Sequence, residues 1–498
     1  MKKLWKIFLF VLPALIAVGC TNEPDNNGGK NGGNESSTTD DSSDFVDEQT
    51  WNATISIVWN GTDVAITGQA DSVSVTSSNG YVTIQSTAKH IEYAVSGNGT
   101  GQLSIYSDYK FKLSLEGLTL ACADGPAINN QCKKRCYVVL SGTNTLSDGT
   151  TYASSTEDRK AAFFSEGQLC FSGAGSLTVT GNNKHALASD DYIRLCEGTG
   201  TLNLTAKVSD GLHTNDGVII NDGTLIVNSE AQEGIQCDSG NIVITGGTVA
   251  VTSKYKCIKT EGNIDISGGT ITAIATGSSS GGGGWWGSSS SSGGTPEGIE
   301  AKGTLTISGG QVYAQAADDA INSGGDMTIS GGYVMAYSTG NDGLDANGNC
   351  YIKGGVVYAI GASSPEVGID ANTEKGYKLY VQGGTIVAIG GLENNSSLTQ
   401  SCYSTSASTK TWYALYSGSD LAFVFKTPES LSSSTLVVST NGTAALKSDV
   451  TTNGGSTFLN GYALVDATVS GGSNATLSAY SGGNSGGGPG GGGPGGRR

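Results

Sequence analysis

Residues 319–338 read DAINSGGDMTISGGYVMAYS, and residues 342–361 read DGLDANGNCYIKGGVVYAIG. Set one above the other, each has an Asp two places before a core Ile321 or Leu344, and a Gly-Gly pair before an alternating Val/Tyr segment. The frame continues in both directions. It gives DGLHTNDGVIINDGTLIVNS from Asp210, EGIQCDSGNIVITGGTVAVTS from Glu233 and KCIKTEGNIDISGGTITAIA from Lys256. It also gives EGIEAKGTLTISGGQVYAQA from Glu297 and VGIDANTEKGYKLYVQGGTIVAIG from Val367. Successive units start 22 to 25 residues apart wherever no loop intervenes. Weaker units around Ala127, Ala162 and Ala186 bring the expected total to about ten coils.

Each unit holds two or three short segments rich in Val, Ile, Thr and Tyr, separated by Gly, Asn or Asp, with no helical period. The LxxLxL pattern of leucine-rich repeats is absent, and calcium-binding nonapeptides would recur more often. The spacing therefore predicts an all-β chain, a right-handed parallel β-helix of three-strand coils. Two inward ladders are expected. One is Leu212, Ile235, Ile258, Ile299, Ile321, Leu344 and Ile369, and the other is Val249, Ile271, Val312, Val334, Val357 and Ile386. Open ends of such a solenoid expose strand edges. The β-rich stretches 51–91 and 401–479 lack the repeat and are expected to act as caps.

The flanks read differently. Residues 1–19 carry Lys2, Lys3 and Lys6 and an apolar run from Ile7 to Val18, a secretory signal closing on Ala17-Val18-Gly19-Cys20. This resembles a bacterial lipobox, which makes Cys20 the expected lipidation site and outer-membrane lipoprotein the expected address, facing the periplasm or the cell surface. Residues 20–50 are polar and read as a flexible tether, 51–479 as the β-helix domain, and 480–498 as a Gly/Pro tail. A Gly/Ser insertion at 277–294 carries Trp285 and Trp286. Nine cysteines follow Cys20 without any CxxC pair, so a zinc or redox motif has little support, and buried thiols fit better than a disulfide framework.

With 27 basic against 44 acidic residues the chain does not suit nucleic acid, and its only expected membrane contact is the lipid anchor. A monomer is expected. An acidic polysaccharide would need bridging cations.

Equivalent residues of adjacent coils lie about 4.8 Å apart. Two places before the core residue runs the column Asp210, Glu233, Lys256, Glu297, Asp319, Asp342 and Val367. One place after the core residue come Glu300, Asn322, Asp345 and Asp370. Carboxylates at that spacing repel unless water, salt or a cation separates them. Oxygen-rich clusters suit calcium, and Asp319, Asp342, Asp345, Asp370, Glu297 and Glu300 are its candidate ligands. The alternative is a row of turn residues on an exposed corner. Lys256 and Lys259 interrupt the acids, either as a salt-bridged rung or as the base of a polysaccharide lyase. A second outward column reads Ala250, Thr272, Tyr313, Met335, Tyr358 and Val387, flanked by Tyr333 and Tyr337. These tyrosines, with Trp285 and Trp286, are candidate sugar-stacking groups, or else ordinary strand residues. His90, His185 and His213 read as scattered, and no nucleophile with its base stands out.

The segments YAVSGNGTGQLSI from Tyr93 and LSGTNTLSDGTTY from Leu140, the step at Ser189-Asp190-Asp191, and the Asp/Glu-Gly-Ile-x-Ala units followed by Ser-Gly-Gly resemble one family. It is that of the bacterial calcium-binding parallel β-helix carbohydrate-binding domain proteins. The resemblance covers about residues 85 to 395. It implies a pectate-lyase-like fold and non-catalytic binding of cellulose- or pectin-like polysaccharide, with calcium at the Asp-Gly corner. The Lys256 unit departs from the acidic pattern. The rival readings are a calcium-dependent lyase and a surface adhesin.

Overall fold

The computed structural model describes residues 42–278 and 294–482. Within them the chain is nearly all β, with three short 3-10 turns, and forms a solenoid of about 11 turns with parallel stacking. Cys20, Trp285 and Trp286 lie outside the described residues, as do 279–293 and 483–498.

Each coil contributes one strand to each of three faces. The first face is a 12-stranded sheet that includes Leu212–Thr214, Ile235–Cys237, Ile258–Thr260, Ile299–Ala301, Ile321–Ser323 and Leu344–Ala346. The second face carries Gly217–Ile220, Asn241–Ile244, Cys350–Ile352 and Leu379–Val381. The third carries Thr248–Ser253, Gln311–Ala316, Tyr333–Ser338, Val356–Ile360 and Thr385–Ile389. Second and third faces belong to one 28-stranded sheet.

Both inward ladders are present. Leu212, Ile235, Ile258, Ile299, Ile321 and Leu344 pair in sequence, and an isolated bridge adds Ile369. Val249 through Ile386 pair likewise on the third face. The weak early units join in the same register, as Ile128, Phe163 and Leu187 stack onto Leu212. Each such residue is removed from water, which contributes roughly 1.5–3 kcal/mol for a fully buried aliphatic side chain. All nine cysteines of the described residues are buried free thiols.

The Gly-Gly pair has a stereochemical cause. Its second member turns the chain in the left-handed region, at φ +75° in Gly332. Its first passes so close to the preceding coil that a Cβ at Gly331 would lie 2.2 Å from the Ser308 carbonyl oxygen.

Antiparallel pairing closes the stack at both ends. Ala53–Gly61 pairs with Asp63–Thr67, and Val73–Ser78 with Tyr81–Ser86. At the far end Thr435–Ser439 runs antiparallel to Thr385–Ile389 and to Cys402–Ser406, which in turn holds Ser478–Tyr480. The 401–479 stretch also does something the repeat did not foretell. Its strands Trp412–Ser417, Asp420–Lys426, Ala444–Asn453, Ser456–Phe458, Ala463–Val465 and Thr468–Asn474 form a separate six-stranded antiparallel sheet. That sheet packs on the third face of the solenoid.

The folded body starts and ends outside the expected bounds of 51 and 479. The Tyr480 hydroxyl donates to the Leu392 carbonyl at 2.9 Å. Ser42–Asp44 and Val46–Glu48, placed by sequence in the tether, are docked. Asp44 is buried, pairing with Arg194 Nη1 at 2.7 Å and Arg135 Nε at 2.8 Å, and it accepts a hydrogen bond from Tyr192. Trp51 packs edge-on against Tyr137. Phe45, Val46 and Trp51 add an apolar contact with Tyr137, Cys170 and Cys196, too few residues to stand out from a polar segment.

Candidate functional site

The corner leading into the first face brings the charged columns together, coil upon coil. Between its N-terminal and C-terminal stretches the chemistry takes three forms.

At the C-terminal stretch, Asp319 and Asp342 are nearly buried, while Asp345 and Asp370 are half-buried. Backbone and amide donors orient them. Asp319 Oδ1 accepts from the Asp342 N–H at 3.1 Å, and Asp342 Oδ1 from the Val367 N–H at 2.5 Å. The Asn322 amide bridges Asp319 Oδ2 at 3.0 Å and Asp345 Oδ2 at 3.1 Å. None of the four is in an ion pair among the described residues, unlike the neighbouring glutamates. Burial is the first cause that raises all four, Asp345 to about 6, Asp342 to about 8, and Asp319 and Asp370 to about 9; repulsion by Asp345, Asp318 and Asp342 adds to it at Asp319, and Glu393 and Asp342 add to it at Asp370. Asp345 and Asp370 stand close enough to perturb each other's ionisation, as do Asp370 and Glu393. Carboxyl groups this close together and this buried favour keeping a proton among them. A divalent cation can take that proton's place at neutral pH, because hard cations accept several oxygens at flexible geometry. Four carboxyl groups with carbonyls nearby therefore fit calcium by number and by donor type.

One coil earlier the same corner is neutralised from within. Lys256 Nζ lies 2.5 Å from Glu297 Oε1 and 3.0 Å from Glu300 Oε2, and Lys302 also pairs with Glu300. Glu297 and Glu300, expected as calcium ligands, are paired here with lysine instead. Burial alone would lower the Lys256 pKa, but the two glutamates outweigh it and raise it, so the ammonium keeps its proton. The two glutamates respond differently. Burial and its neighbour Glu300 keep Glu297 raised, whereas two lysines overcome burial and lower Glu300. Lys259 pairs with the exposed Glu261 at 3.5 Å.

Two coils before Lys256, His185 and His213 stack at 4.3 Å between ring centroids, with Asp210 beside both. Sequence reading treated these histidines as scattered. The signal was present, since His185 stands two places before the core Leu187 as Asp210 does before Leu212, and Leu187 pairs with Leu212.

The expected tyrosine platform is not a free surface. Tyr313 and Tyr358 point outward from the solenoid as the register requires, yet they are 1% and 0% exposed because the C-terminal sheet covers them. Tyr313 stacks on Tyr462 at 6.1 Å, Tyr337 meets Tyr462 edge-on, and Tyr333 meets Phe458 at 4.9 Å. The Tyr358 hydroxyl donates to the Lys426 carbonyl at 3.1 Å. These four tyrosines form an internal interface, which corrects their assignment as sugar-stacking groups. A partly exposed aromatic pair sits instead on the second face, where Tyr351 and Tyr380 stack at 4.9 Å and 11°. Both occupy the outward middle position of a three-residue strand, next to each other in register. Two open grooves of about 470 and 550 Å³ at the C-terminal end are lined by hydroxyl, amide and apolar groups and hold no carboxylate or imidazole.

A three-faced β-solenoid with one long charged corner defines the class. The chain belongs to the family of carbohydrate-binding domain-containing proteins, whose model matches residues 78–343. It is also similar to a solved structure described as the polysaccharide lyase-like protein from C. thermocellum, gadolinium derivative. That similarity has 21% identity and a TM-score of 0.41, over 51% of this chain and 96% of that one. No curated protein matches.

Proposed function

We propose that this protein binds acidic, pectin-like polysaccharide at the bacterial cell envelope with the help of calcium and does not cleave it. The carbohydrate-binding family supports the ligand class. The observation that carries the calcium role is the group Asp319, Asp342, Asp345 and Asp370, which lacks a cationic side-chain partner among the described residues and whose ionisation burial opposes. Calcium held there leaves coordination positions for uronate oxygens, so one ion bridges two negative partners that would otherwise repel. Tyr351 and Tyr380, one face away in the same region, offer apolar ring surface to sugar C–H groups. A lipidated Cys20 would hold the body at the membrane.

The lyase reading needs a free base near the cation. Lys256 is held as an ammonium between Glu297 and Glu300, which speaks against it in that role. The deciding experiment passes the chain from residue 21 onward over immobilised polygalacturonate, with calcium and with chelator. Calcium-dependent retention without unsaturated product, lost in the Asp342→Asn/Asp345→Asn pair, is expected. Unsaturated product would establish the lyase, and absence of retention in calcium would overturn the reading.

A further inference from the structure

The imidazole stretch of the corner differs in donor chemistry from the carboxylate stretch. His213 Nδ1 lies 2.9 Å and His185 Nδ1 3.3 Å from the same Asp210 Oδ2, and all three donor atoms lie within 4.8 Å of one another. A tetrahedral ion bound by nitrogen and oxygen at about 2.0–2.2 Å has ligand-to-ligand edges of about 3.4 Å. Two edges here are already close to that length, and since the rings stack at 24° between their planes, the third closes when one ring turns out of the stack.

The surroundings are those of a supported site. His213 Nε2 faces Asp238 Oδ2 at 3.3 Å, the carboxylate–imidazole arrangement that fixes ring orientation and strengthens a metal-binding nitrogen. Asp210 Oδ1 accepts from the Glu233 N–H at 3.2 Å, which aims Oδ2 at the two rings. His185 Nδ1 also lies 3.2 Å from the Asp210 backbone nitrogen and 3.1 Å from Ser209 Oγ, which hold the ring in place. The side chains are largely withdrawn from water, at 14% exposure for each histidine and 8% for Asp210, yet each histidine retains a path to solvent.

We propose that His185, Asp210 and His213 form a transition-ion site, of zinc type, separate from the calcium corner. Two imidazoles and one carboxylate suit zinc and its neighbours in the first transition row, whereas calcium prefers oxygen alone. Four coil steps, from Asp210 through Glu233, Lys256 and Glu297 to Asp319, place the two stretches roughly 19 Å apart. Lys256 lies between them. The site does not depend on the glycan-binding reading. Zinc bound through His213 Nδ1 leaves the ring proton on Nε2, where Asp238 accepts it.

The test is calorimetric titration of the reduced chain from residue 21 onward with zinc chloride, under saturating calcium. Cobalt(II) absorption provides a second readout. One zinc per chain is expected. His213→Gln should weaken binding a hundredfold or more, and Asp238→Asn, at an exposed position that folding tolerates, by about tenfold. Cobalt should give a spectrum without thiolate charge transfer. The proposal is overturned if the folded wild-type chain takes up no zinc, if His213→Gln and Asp238→Asn both bind as wild type does, or if cobalt shows thiolate ligation by a buried cysteine.

Discussion

Replacing Asp342 by Asn isolates the cost of ionising the corner. A carboxyl raised above its unfolded value of 3.8 contributes stability that is fully present below that value and is lost as pH rises through the folded value, here about 8. Between acid and pH 7 the loss at Asp342 amounts to on the order of 4 kcal/mol. Asn keeps the shape and can still accept the Val367 N–H, but it carries no charge. In chelator, therefore, the wild-type melting temperature should fall as pH rises from 5 to 8.5, while Asp342→Asn should fall less and melt several degrees higher at pH 8. Calcium should reverse the order, raising the wild type by mass action on its folded state and the variant much less. Thermal melts by circular dichroism at four pH values, with and without calcium, are sufficient. If Asp342→Asn is the less stable protein at pH 8 in chelator, or if both proteins share one pH profile, the carboxylates do not oppose one another and the cation site loses its basis.

Lys256→Met should cost about 3–5 kcal/mol in chemical denaturation, because Glu297 and Glu300 lose their shared buried counter-ion. An unchanged midpoint would mean that Lys302 and water suffice. Tyr358→Ala should cost about 3–5 kcal/mol and loosen residues 412–474 in hydrogen exchange while leaving glycan retention intact, whereas Tyr351→Ala should weaken retention with little loss of stability. The reverse pattern would restore the covered tyrosines as the binding platform. Gly331→Ala and Gly332→Ala should both lower the denaturation midpoint. Each drives a Cβ against the preceding coil, 2.2 Å from the Ser308 carbonyl oxygen and 2.6 Å from that of Gly310, and Gly332 adds left-handed strain of about 1–3 kcal/mol at φ +75°. Wild-type midpoints would show that adjacent coils give way freely.

The sequence by itself determined everything that repeats. In a solenoid each coil touches the next, so a period of one unit fixes the register. Ile321 must stack on Leu344, and Asp319 must stand beside Asp342. The lysine rung at Lys256 was legible for the same reason. The histidine pair was legible in principle, because His185 shares the column that starts with Asp210 when the weaker early coils are included. What only the tertiary structure decided is what the non-repeating segments cover. Asp44 finds Arg194 150 residues away, and Tyr358 meets Lys426 68 residues away. An outward tyrosine looks the same in sequence whether it faces water or a docked sheet. Exposure depends on the shape of a distant partner, and no period records it.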